Sequence, residues 1–208
     1  MAATSSRPRK RRPPPADGAS TLQTTTEAMH REPNALWRFS LHGYRLPGVE
    51  AACLALQDGW ATDTNLLLYC CWLGSTGRAL DRRQLRRAMA AVARLQSAAI
   101  QPLRTVRRAL KAPAAGLPAG WDTDLRRRIG AVELDLEYLE QCVLFQLTQG
   151  LPPLASRQPP RAAAQASLAR YLALLQVPPA GLAQQHAGTV LDACLPPPGA
   201  GSAHCGRS

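Results

Sequence analysis

Residues 81–111 read DRRQLRRAMAAVARLQSAAIQPLRTVRRALK, and this stretch decides the fold. Asp81 stands where a helix N-cap belongs. Behind it Leu85, Met89, Val92, Gln96, Ala99, Leu103, Val106 and Leu110 recur at alternating steps of four and three. That is a seam of period 3.5, the pattern of a helix packed along a long neighbour. Pro102 lacks a backbone donor, so a kink is expected near 98–102. The neighbour follows at once. After the Pro- and Gly-rich segment 113–120, Asp122 or Asp124 is the expected cap of a second long helix running to about Gln149. Its stripe is Leu125, Ile129, Val132, Leu136, Leu139, Val143 and Leu147. Two helices of about 40 Å joined by a short loop make an antiparallel hairpin.

Upstream, Asn34 is the expected cap of a helix over 35–45, and Pro47 the first helical position of another over 48–58, with Gly59 ending it. Asp63 caps 64–74, where Leu66, Leu67, Leu68, Tyr69, Cys70, Cys71, Trp72 and Leu73 leave no polar face. A helix apolar all round belongs at the centre of a fold, although a run this short also suits a buried strand. Downstream of the hairpin, weaker patterns predict helices over 162–176 and 180–194. The expected architecture is all-α: a single-domain helical bundle with the hairpin packed on shorter N-terminal helices. The domain reading is a disordered basic leader over 1–33, a core over 34–150, a linker over 151–161, C-terminal helices over 162–195 and a disordered tail over 196–208. Met29 just ahead of the core raises the alternative that residues 1–28 precede the start codon.

The net charge is +11, and its placement says more than its size. Residues 78–128 hold thirteen basic side chains against three acids, the leader up to Arg12 holds five and no acid, and the remainder is net acidic. Arg82, Arg83, Arg86 and Arg87 share one helix flank, which Arg104, Arg107, Arg108 and, on the next helix, Arg126, Arg127 and Arg128 extend. Such a surface can track phosphates without reading bases, and with no aromatics interleaved it is poorly suited to stacking single strands. Arg126–Arg128, read in the first turn of their helix, oppose the macrodipole and call for an anionic answer. Glu133, Glu137 and Glu140 share a face that either pairs with Arg104, Arg107 and Arg108 or is solvated.

Nucleotide-loop, nucleophile-elbow and zinc-protease motifs do not occur, and no E-x-x-H accompanies the glutamates. The six cysteines have no C-x-x-C spacing and read as reduced structural thiols; no metal or cofactor is expected. The longest apolar run, Leu66–Leu73, is far shorter than the ~18 residues of a membrane span, and the basic start lacks a secretory core, so the default compartment is the cytoplasm. One small polar constellation is left, Gln57, Asp58, Asp63 and Asn65. Helix capping accounts for Asp58 and Asp63, whereas Asn65 is harder to explain, which makes the group a candidate ligand site.

The run Leu36-Trp37-Arg38-Phe39-Ser40-Leu41, with Pro47-Gly48-Val49, Cys53–Asp58, Asp63, Asn65–Leu68 and Cys70–Gly74, resembles an uncharacterised family of small helical proteobacterial proteins known only as a domain of unknown function. The resemblance extends through Pro102–Arg104 and Arg108–Lys111 over roughly 34–148. It implies an all-helical protein with no assigned activity. The chain departs from the family pattern at Thr64 and in its long leader. The leading functional expectation is a non-enzymatic binding or adaptor protein whose protein partner meets the arginine flank or the surface near Trp60. The alternatives are nonspecific nucleic-acid or polyanion binding, and a ligand or enzymatic site at Gln57, Asp58, Asp63 and Asn65.

Overall fold

The computed structural model describes residues 33–111, 120–152 and 157–197; the leader and the end of the tail lie outside these residues. Helix α1, Ala35–Tyr44, starts where Asn34 accepts the Trp37 N–H at 2.9 Å. Helix α2 spans Val49–Trp60 and corrects both expected boundaries. Pro47 is not the first helical residue. It occupies the second position of a type II turn, closed by Val49 N–H to Leu46 O at 3.2 Å, and Gly48 takes the left-handed third position at φ 80°. Gly59 does not stop the helix either. The stop is Ala61, a non-glycine residue held left-handed at φ 51°, whose N–H bonds Gln57 O at 3.0 Å.

Helix α3, Thr64–Ser75, begins at Asp63, whose carboxylate accepts the Asn65 N–H at 2.8 Å and the Leu66 N–H at 3.4 Å. Its side chains from Asn65 to Gly74 are buried except Trp72, so the apolar run is a central helix and not a strand. Among the described residues there is no strand, and the fold is all-helical. Helix α7, Pro160–Leu174, packs along α3 more extensively than any other pair of helices touch. The two backbones meet at Gly74: a Cβ there would lie 2.3 Å from Ala164 Cβ and 2.5 Å from its Cα. Helix α8, Leu182–Cys194, covers α2. Leu168, Leu172, Val190 and Leu191 thereby join Leu36, Leu56, Leu67 and Leu144 in one core.

The hairpin's first arm is α4, Arg82–Leu95, a π turn at Gln96–Ile100, and α5, Gln101–Ala109. A capping box opens it: Asp81 accepts the Gln84 N–H at 2.7 Å and Gln84 returns to the Asp81 N–H at 2.9 Å. The irregularity expected from Pro102 is present as the π turn just before it, where the Gln101 N–H reaches back to Gln96 O. The extra residue turns everything beyond it by about 100° about the axis. The seam therefore holds through Leu85, Met89, Val92 and Gln96 and then shifts by one. Ile100, Arg104 and Arg107 face inward where Ala99 and Val106 were expected, and Val106 is 48% exposed.

The second arm, α6, is Trp121–Gln149. Its cap is Gly120 at φ 88°; Asp122 and Asp124 lie in the first turn and do not cap. Arg126–Arg128 consequently fall beyond that turn, and Asp124 answers Arg127. Where the expected stripe was to face inward, the helix is rotated. Leu125, Val132, Leu139 and Val143 are 38–49% exposed, while Glu133, Glu140, Gln141 and Leu144 are buried. Inward arginines on α5 explain the choice, because an acidic face that meets guanidinium groups is neutralised as it is buried. No helix among the described residues is long and apolar enough to cross a membrane.

Candidate functional site

Where α3, the π turn and α6 meet, the core contains a polar network. Asn65 Nδ2 donates to Glu140 Oε2 at 2.8 Å, and Gln141 Nε2 donates to Asn65 Oδ1 at 2.7 Å. Gln96 Nε2 reaches both Glu140 Oε2 at 2.7 Å and Asp63 Oδ2 at 2.9 Å, so one amide spans two carboxyl groups. The Asp63 N–H donates to Tyr171 Oη at 2.8 Å, which ties the start of α3 to α7. Burial, followed by the charge of Asp63 and a hydrogen bond to it, pushes the Glu140 carboxyl up to about 9. At neutral pH that shift keeps Glu140 a neutral acid beside the Asp63 carboxylate. Two buried anions in contact would be costly; one shared proton removes the conflict.

A second cluster lies nearer the surface. Arg104 Nε donates to Glu133 Oε1 at 2.9 Å, its Nη2 to Glu137 Oε1 at 2.7 Å, and its Nη1 to Gln57 Oε1. Arg107 adds a two-pronged grip on Glu133 at 2.6 and 3.1 Å. Burial pushes Glu133 up, but the hydrogen bonds and charges of Arg107 and Arg104 outweigh it and hold the carboxyl below its usual range. Glu137, which accepts a hydrogen bond from Arg104, is raised by burial despite that partner.

Against this cluster opens a cavity of about 390 Å³ between α1, α2 and the hairpin. Trp37 and Tyr44 form its aromatic wall, Leu54 and Leu134 contribute apolar surface, and Arg45 and Arg108 are at its margin. Trp37 is itself fixed edge-to-face on Tyr138 at 5.1 Å. Two lining residues, Ser40 and Gln141, each hold a buried oxygen with no hydrogen-bond partner.

Of the four residues read from the sequence as a polar cluster, Gln57 and Asn65 line this cavity. Asp63 caps α3 and joins the buried network, and Asp58 pairs with Arg108 at 2.7 Å at the surface. They are therefore divided among three settings. Of the ten arginines read as one flank, Arg104 and Arg107 turn inward and Arg108 is paired, while Arg82, Arg83, Arg86 and Arg87 stay exposed on α4. Arg126 is partly buried on α6, and Arg127 and Arg128 are exposed there. The roles of Gln96, Glu140, Gln141 and Tyr171 were not foreseen. One signal existed, since Gln96 is the sole polar residue of the seam expected through residues 85–110.

The described cysteines Cys53, Cys70, Cys71, Cys142 and Cys194 are free thiols, and burial pushes Cys53 and Cys70 up to about 12. Among the described residues, no group of three or more His, Cys, Asp or Glu side chains is placed to hold a metal ion.

These features define a class: a helical protein whose central apolar helix is tied to a hairpin by a buried carboxyl–amide network, with an arginine–glutamate cluster joining the hairpin's own arms. The chain belongs to the family described as protein of unknown function DUF2390, whose model matches residues 35–144. No curated protein and no solved structure matches it.

Proposed function

We propose that the protein is a non-enzymatic binding protein that takes a small amphipathic anion into the cavity beside Trp37, Tyr44 and Arg104. The observation that carries this reading is the cavity itself: about 390 Å³ is ligand-sized, and apolar and aromatic walls combine there with polar groups and the cations Arg45 and Arg108. Arg104 and Arg107 are already neutralised by Glu133 and Glu137. The attraction for an anion falls to Arg45, which no acid among the described residues pairs, and to Arg108, partly exposed beside Asp58. An apolar body then meets Leu54, Leu134 and the ring of Trp37. Binding is favoured over catalysis because the acids and arginines at hand are engaged in holding one another.

The reading sets the protein in the cytoplasm, which the free thiols of the core support. Of the polyanion alternative, the exposed Arg82, Arg83, Arg86 and Arg87 on α4 are the available part. The test is a thermal-shift series with straight-chain monocarboxylates of increasing length. A saturable rise in Tm is expected for the members that fit, equivalent to about 2.7 kcal/mol at a hundredfold excess over Kd. Leu54→Trp, a change at a partly exposed wall position, fills the cavity and abolishes the rise. A series without any shift, or a shift that Leu54→Trp leaves intact, overturns the proposal.

A further inference from the structure

The exposed face of α6 has a symmetry of its own. Trp121, Leu125, Val132, Leu139 and Val143 follow one another at steps of four, seven, seven and four, so the stripe is a palindrome centred on Val132. At 3.6 residues per turn the five lie within about 40° of one another around the axis, along about 33 Å of helix. All five are large and substantially exposed, Trp121 the most at 69%. A period of 3.5 along a straight face is the mark of a helix that meets another helix. The palindrome says which one: an isologous interface pairs residue i with j and j with i.

We infer that the protein self-associates through α6, two copies crossing antiparallel about a two-fold axis at Val132. In that register Leu125 meets the second copy's Leu139, and Val132 meets itself. Trp121 meets Val143. Two independent features of the surface agree with the register. First, Val143 lines an apolar groove of about 490 Å³, together with Leu95, Leu139 and Leu147, at the end of the stripe remote from Trp121. The two-fold lays the most exposed aromatic of each copy into that groove of the other. Second, Arg128 and Asp135, both exposed, lie along one flank of the stripe on opposite sides of the axis. Antiparallel helices bring equal flanks together, so Arg128 of each copy stands beside Asp135 of the other. The interface thus has a buried aromatic anchor, an apolar middle and a charged rim.

Light scattering coupled to gel filtration on the full chain, over a wide concentration range, tests this. The expected mass is twice the 22.4 kDa of one chain at high concentration, falling to one on dilution. Val132→Glu places two like charges against each other on the axis and is expected to raise the dimer dissociation constant roughly 30-fold or more. Because Val132 is half exposed, the helical circular dichroism and Tm of that variant stay near wild type. Orientation is read by cysteine cross-linking with the wild-type thiols as baseline: Leu125→Cys mixed with Leu139→Cys gives a disulfide-linked pair, and neither does so alone. A chain that is monomeric throughout, an association that Val132→Glu leaves intact, or Leu125→Cys linked to itself overturns the proposal. Should Val132→Glu unfold, the mixed cross-link decides.

Discussion

Replacing Glu140 by Gln removes a proton that the fold must otherwise carry. In the folded protein the Glu140 carboxyl is pushed from 4.5 up to about 9, first by burial and then by Asp63. Between those values the unfolded chain has lost the proton and the native state keeps it. The unfolded state then binds fewer protons, so stability falls as pH rises, by up to about 1.4 kcal/mol per pH unit. At pH 7 the accumulated cost is roughly 3 kcal/mol. Glutamine reproduces the neutral acid without that cost. Its carbonyl accepts the bonds that Glu140 Oε2 now receives from Asn65 and Gln96, and its amide is uncharged beside Asp63. Urea unfolding of both proteins at about pH 5, 7 and 8.5 measures the difference. The expected result is near equality at the lowest pH and a Glu140→Gln advantage that widens as pH rises. A variant less stable than wild type at the highest pH, or a gap that does not change with pH, would refute a protonated Glu140.

Gly74→Ala drives a methyl group into Ala164 at 2.3 Å and is expected to cost about 3 kcal/mol or more by overpacking, read as a lowered denaturant midpoint. Ser167→Ala leaves the buried Leu80 N–H without the acceptor it now has at 2.9 Å, for a loss of about 1–3 kcal/mol in the same assay. Arg104→Met strips Glu137 of its partner and Gln57 of a donor, at a cost of roughly 3 kcal/mol. Arg107→Met costs less, because Arg104 still holds Glu133; equal losses would show that the two arginines are interchangeable.

Much of the architecture was legible because it is encoded locally. Asn34, Asp63 and Asp81 all cap the helices they precede, since a short polar side chain before an apolar run has few other uses. The central helix was legible for the same kind of reason: no face of Leu66–Leu73 can be offered to water. What the sequence hid is the rotation of the hairpin arms. A periodic apolar stripe reads as an inward face, yet on α6 Glu133 and Glu140 went in while Leu125, Val132, Leu139 and Val143 stayed out. That outcome depends on Arg104 and Arg107, which face inward because the π turn shifted their phase, and no local pattern announces a one-residue shift. The candidate site was half visible for a related reason. Asn65 stood out as polar within an apolar helix, but its partners Glu140 and Gln141 are seventy-five and more residues away; Glu140 reads from the sequence only as part of a solvated or paired face, and Gln141 carries no signal.

The π turn makes the first arm of the hairpin a pair of gears on one shaft. Deleting a single residue between Gln96 and Ile100 would let α4 run straight into α5 and leave Arg104 and Arg107 facing inward, because the lost residue offsets the lost wide turn. Closing the π turn at full chain length would instead rotate α5 by about 100°, swing Val106 toward α6 and Arg107 away, and cost Glu133 a cation without any change to its own helix. The chemistry of the interior is set here by helical phase at one point, so the π turn decides which side chains face Glu133 as much as the residues at the contact do.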